Sequence, residues 1–186
     1  MNSESNARGC THVRQETPNW CFQACLQSFL TDNNTCRWTQ GEMVELGIQK
    51  KYCEDKDPKR GVIPYDKGKN PEYRNVIDFC GLFDIDLEKI EDRQIPQTLA
   101  SGEGVLILTW KCKGDPNQQH CVRFCEHVNE KTFRVMDPAP HPDEFPIWDR
   151  ENIQNWSCHI FRIRLKNSGK GKARYESGNM IRAAAL

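Results

Sequence analysis

Four residues of this 186-residue chain have the types and order that acyl transfer requires: Gln15, Cys21, His120 and Asp137. A thiol nucleophile needs thiolate character, a general base, a group that orients the base, and donors for a developing oxyanion. Cys21 opens a stretch with apolar residues at positions 22, 25, 26, 29 and 30, which is helical spacing. Pro18 and Asn19 just before it are start signals. The dipole and unpaired N–H groups at a helix start favour a thiolate, and the same N–H groups can bind an oxyanion. Gln15 lies six residues before Cys21, across the bend at Pro18-Asn19, where its amide could supply a second donor. His120 opens the segment 120–127, and Asp137 closes the segment 131–136. If those segments pair as a hairpin, His120 and Asp137 meet at one end of the sheet. The carboxylate then fixes the imidazole tautomer and leaves the other ring nitrogen to take the Cys21 proton. Pro138 cannot donate to a ladder, which suits a strand ending at Asp137.

These residues need a scaffold, and the chain supplies helices first and strands after. The spacing predicts a helix over 21–30. A capping box, Thr39-Gln40-Gly41-Glu42, opens a second helix that Gly47 could end. Residues 50–69 are charged and rich in Pro and Gly, and read as a long surface loop. Asn70-Pro71 starts a third helix through Phe79 with Gly81 past its end, and 94–101 suggests a short fourth. Segments 105–110, 120–127, 131–136 and 159–165 alternate or are continuously apolar and read as strands, with Asn129-Glu130 as a hairpin turn. Helices followed by an antiparallel sheet make an α+β layout. The expected organisation is a flexible lead-in over 1–12, one domain over 13–166 and a basic tail over 167–186.

Composition narrows the function classes. Twenty-six basic side chains balance 26 acidic ones. That argues against a nucleic-acid or membrane-surface binder, which carries a basic excess on one face. No apolar run approaches the ~18 residues of a membrane span, and no Sec-type signal is visible. The expected location is the cytoplasm, or the exterior for an effector exported without such a signal. Ten cysteines stand out: 10, 21, 25, 36, 53, 80, 112, 121, 125 and 158. Without a signal peptide the expectation is mostly reduced thiols. No Cys-x2-Cys pair exists, so no metal site is expected. Cys25, one turn after Cys21, is read as core. His127 is read as the rival base, seven residues from His120 and on the opposite face by period two. His12, His141 and His159 have no partner pattern and read as ordinary surface or core residues.

Taken in order, Gln15-Glu16-Thr17-Pro18-Asn19-Trp20-Cys21, Gly104-Val105-Leu106-Ile107, and His120-x-Val122 followed by Asp137-Pro138 resemble the papain-like cysteine peptidases. The resemblance is greatest to their compact bacterial branches, the double-glycine leader peptidases and the related plant-pathogen effector proteases, and it spans about residues 13–165. It implies Cys21 as nucleophile, His120 as base, Asp137 as orienter and Gln15 as oxyanion donor. It implies a helical part packed on a twisted antiparallel sheet with Cys21 in the cleft. Trp20 and Gln119, beside the Cys and the His, are the expected substrate-binding residues. Larger papain-type enzymes carry a Cys-Gly-Ser/Ala-Cys-aromatic signature with the His about 130–150 residues on. Here Phe22 follows Cys21, His120 is only 99 residues away, and Gln118-Gln119 stand where many relatives have Gly. Neither removal of a pro-segment nor export-coupled leader processing is expected.

The expected reaction is hydrolysis of a peptide or amide through a thioester on Cys21. The substrate is a peptide or protein, and no cofactor is required. Two alternatives stay open: a deamidase, transglutaminase or acyltransferase using the same triad, and a catalytically silent fold serving as a binding module.

Overall fold

The computed structural model describes residues 10–55, 60–63, 73–109, 120–139, 145–155 and 158–166. Three helices come first: α1 (Cys21–Asp32), α2 (Gln40–Gln49) and α3 (Arg74–Gly81). Then follow β1 (Ile85–Ile90), a 3-10 turn (Asp92–Gln94), α4 (Ile95–Ala100), β2 (Gly104–Thr109), β3 (His120–Asn129), β4 (Thr132–Met136), β5 (Ile147–Asp149), α5 (Arg150–Asn155) and β6 (Cys158–Leu165). The six strands form one sheet in the order β1-β6-β2-β3-β4-β5, every pair antiparallel. The expected α+β architecture is therefore the observed one.

The pleat sends alternate residues to two cores. Leu106, Leu108, Cys121, Phe161 and Ile163 face Leu26, Phe29, Met43 and Phe79 from the first three helices. Val105, Ile107, Val122, Phe124 and Ile160 face Ile95 of α4 and Ile153 of α5. Gly104 opens β2 where α1 crosses closest, and a Cβ there would lie 2.8 Å from Phe29 Cδ2.

Local chemistry explains several boundaries. The capping box of α2 forms as expected: Thr39 Oγ1 accepts from Glu42 N at 3.2 Å, and Glu42 Oε2 accepts from Thr39 N at 2.8 Å. Gly47 does not end that helix but lies inside it. Its lack of a side chain admits Cys53 Sγ and Phe79, whose Cε2 would be 2.7 Å from an added Cβ. α3 starts at Arg74, and Gly81, expected just past its end, is its last residue. Asn70-Pro71, the expected start, lies outside the described residues, as do residues 1–9 and the tail 167–186.

Three elements were not anticipated: β1, β5 and α5. β1 buries Ile85, Leu87 and Ile90 but carries Asp86, Glu88 and Lys89 outward. Its charges are matched on β6, where Arg162 pairs with Glu88 and Arg164 lies 3.6 Å from Asp86. The β3–β4 turn falls one residue later than expected, at Glu130-Lys131. Asn129 Oδ1 sets it by accepting from Lys131 N at 2.9 Å and Thr132 N at 3.1 Å, an Asx turn. Register shifts in β3, one of them between Phe124 and Glu126, break the period of two. His127 lies tilted against Phe133, which belongs to the core of Val122 and Phe124, whereas His120 reaches Cys21, packed against the other core.

The lead-in expected to be loose is fastened from Cys10 onward. Cys10 is bonded to Cys125 of β3 in a disulfide. Thr11 donates to Asp32 Oδ1 from its N at 2.9 Å and its Oγ1 at 2.6 Å, and its carbonyl accepts from Ser28 Oγ at 2.6 Å. Arg123, only 5% exposed, donates to the same Ser28 Oγ at 2.8 Å and to Asp32 Oδ2 at 2.5 Å. The fully buried amide of Gln40 bonds Arg14 O at 2.7 Å and Glu16 N at 3.0 Å. A strap of residues 10–16 is thus laid between α1, α2 and the start of β3.

Candidate active site

Cys21 is the first residue of α1 and is half-buried. No side chain caps this helix at Trp20, so its first-turn N–H groups keep the orphan donors of any helix start. Cys25, one turn later, is fully buried with Sγ 3.5 Å from Cys121 O, as its core assignment requires.

His120 is the first residue of β3, and Asp137 directly follows β4. The pairing Arg123↔Met136 brings those two ends together, as the hairpin argument expects. His120 Nε2 lies 2.8 Å from Asp137 Oδ1, with side chains 18% and 13% exposed. The ring also hydrogen-bonds the Cys21 side chain, which falls to Nδ1 because Nε2 is committed to Asp137. Burial alone would drive the imidazole toward its neutral form. The hydrogen bonds from Asp137 and Cys21, with the negative charge of both partners, outweigh it and push the His120 pKa up to about 11. Asp137 Oδ1 accepts a second bond, from Ala139 N at 2.9 Å, which holds the carboxylate at the strand end.

Gln15 is anchored to the same corner, its N donating to Pro138 O at 2.9 Å. Its side-chain Oε1 is buried and has no hydrogen-bond partner among the described residues. Trp20 stands beside Cys21 and donates from Nε1 to Arg60 O at 3.2 Å. It packs on Gly61, whose φ of +86° and contact with the indole both require glycine. Gln119 lies outside the described residues.

The sequence argument missed one partner of this corner. His12, read as a plain residue, places Nε2 3.0 Å from Asp137 O. Mostly reduced thiols were expected, and among the described residues one pair, Cys10–Cys125, is bridged. Cysteines 21, 25, 36, 53, 80 and 121 are unbridged. Cys121 hydrogen-bonds Cys25, and burial holds its thiol well above the usual range. Among the described residues no helix is long and apolar enough to cross a membrane, and no three His, Cys, Asp or Glu side chains converge as metal ligands.

Comparison with solved structures defines the class of fold. The chain is similar to the peptidase domain of Streptococcus ComA, a bi-functional ABC transporter involved in a quorum-sensing pathway, with a TM-score of 0.55 at 16% identity over 81% of this chain and 96% of that one. It also matches a double-glycine motif protease from an AMS/PCAT transporter in complex with its leader peptide, with a TM-score of 0.47 at 14% identity over 83% and 94%. The fold is that of the papain-like peptidase domains. No family model and no curated protein sequence matches the chain.

Proposed function

We propose that this protein is a papain-like cysteine peptidase that cleaves a peptide or amide bond through a thioester on Cys21. The observation that carries the reading is the position of His120, hydrogen-bonded on one side to Asp137 and on the other to Cys21. Cys21 Sγ attacks the scissile carbonyl carbon, whose oxygen becomes an oxyanion received by the first-turn N–H groups of α1 and the Gln15 amide. His120, protonated by virtue of its two partners, gives its proton to the departing amine as the C–N bond breaks. It then takes a proton from water, which attacks the thioester and releases the acid and the Cys21 sulfur. Asp137 holds the ring by Nε2 throughout, so that Nδ1 faces the sulfur. The fold likeness to a peptidase domain supports this reading, and so does the place of Gln15, whose backbone N holds Pro138 O next to Asp137.

The test is turnover of a fluorescence-quenched peptide library by wild type, Cys21→Ala and His120→Ala, with products identified by mass spectrometry. Wild type is expected to cleave, Cys21→Ala to be inactive, and His120→Ala to lose about 10²–10⁴-fold, the usual contribution of a general acid–base. Cleavage surviving in Cys21→Ala would overturn the reading. A product that captures an added primary amine in preference to water would move the assignment to the acyltransferases.

A further inference from the structure

The Asp137-Pro138 segment carries the orienting carboxylate, yet the sheet does not hold it. β4 ends at Met136, and Pro138 has no N–H to offer a ladder. Both of its carbonyls are instead taken by the strap. Gln15 N donates to Pro138 O at 2.9 Å, and His12 Nε2 lies 3.0 Å from Asp137 O. A carbonyl only accepts, so His12 must carry hydrogen on Nε2. The ring is itself fixed, set edge-on against Phe145 with centroids 5.6 Å apart. Its backbone is pinned by the Cys10–Cys125 disulfide and Thr11 on one side and by the Gln40–Arg14 bond on the other. The donor is therefore held by groups that do not depend on Asp137.

We propose that His12 is a positioning residue of the active site: its Nε2–H grips the Asp137 carbonyl and thereby aims the carboxylate that orients His120. The inference rests on the peptidase reading above and extends it to a residue that touches no reacting atom. Loss of the grip frees the Asp137 peptide to tilt, which lengthens the 2.8 Å contact with His120. The effect falls on the chemical step, because the bond His12 makes here is to the Asp137 backbone carbonyl, on the group that orients His120.

Three variants test this. His12→Phe keeps a ring against Phe145 and removes the donor. His12→Gln restores an N–H donor on a side chain of similar reach. His12→Ala removes both. Steady-state kinetics should show kcat lowered about tenfold in His12→Phe and His12→Ala with KM unchanged, the effect of one net hydrogen bond. His12→Gln should recover most of it. Imidazole NMR of His120 should show its titration displaced downward in the Phe and Ala variants and restored in Gln, a readout that a purely structural role would not move. Equal kcat and equal His120 titration in all four proteins would overturn the proposal. So would a Gln variant no better than Phe at matched unfolding midpoints. If wild type shows no turnover at all, the peptidase reading fails, and the NMR titration still decides whether His12 positions Asp137 and His120.

Discussion

Replacing Asp137 by asparagine isolates the charge of the orienting group while retaining its size and its Oδ1 acceptor. In the wild type, His120 is buried enough that desolvation works against its protonation, yet its pKa stands at about 11 against an ordinary 6.5. The raising therefore comes from the hydrogen bonds and charges of Asp137 and Cys21. A hydrogen bond to a charged group contributes about 1.5–3 kcal/mol net, against about 1 for a neutral one. Losing the charge therefore removes about 0.5–2 kcal/mol, which at 1.36 kcal/mol per pH unit lowers the His120 titration by roughly 0.4–1.5 units. Turnover should fall by about 2–30-fold through the same loss of stabilised imidazolium. The assay is paired: NMR titration of the His120 ring, and the pH dependence of iodoacetamide alkylation at Cys21 mapped by mass spectrometry. In Asp137→Asn alkylation of Cys21 at a fixed pH should slow as the ring beside the sulfur loses its aim. If the His120 titration does not move and Cys21 alkylation is unchanged, Asp137 is an ordinary strand-ending carboxylate and the orienting argument is refuted.

The same titration has a consequence for stability. A group whose folded pKa lies above its unfolded value stabilises fully below the unfolded value, about 6.5, and that contribution is lost as pH rises through about 11. The urea midpoint should therefore fall between pH 7 and pH 10 more steeply in wild type than in His120→Gln. Asp32→Ala should cost about 3–5 kcal/mol in urea unfolding, because it strands the buried Arg123 guanidinium. Reduction of Cys10–Cys125, or Cys10→Ser, should cost about 2–4 kcal/mol by releasing a loop 115 residues long, while Cys10→Ser leaves iodoacetamide still able to reach Cys21. Gly47→Ala should cost about 1–3 kcal/mol by driving a methyl into Phe79 and Cys53, measured as a lowered thermal midpoint.

Much of this protein was legible from residue types and spacing. The helix behind Cys21, the α2 capping box and the four apolar strands announce themselves locally. The meeting of His120 and Asp137 followed from a single hairpin. β1 stayed hidden because three of its six residues are charged, and their partners Arg162 and Arg164 lie more than seventy positions away. The register shifts within β3 could not be read because a bulge leaves no mark in an alternation of side chains. His12 looked partnerless because its partner is a backbone carbonyl 125 positions on, a group every residue owns. The bond between Cys10 and Cys125 was equally invisible, since cysteine counts do not reveal connectivity.

The strap has a consequence for timing. Its bonds to the Asp137-Pro138 corner join residues more than 120 positions apart. At a synthesis rate of roughly 5–20 residues per second, the ribosome needs about 6–25 s to travel from Gln15 to Pro138. Throughout that interval the nascent chain holds a cysteine and a helix to present it, but neither an aimed imidazole nor a seated strap. The His120–Asp137 corner is among the last parts of the chain to be completed. A product that stops before Asp137 carries Cys21 and His120 without the carboxylate that holds the ring.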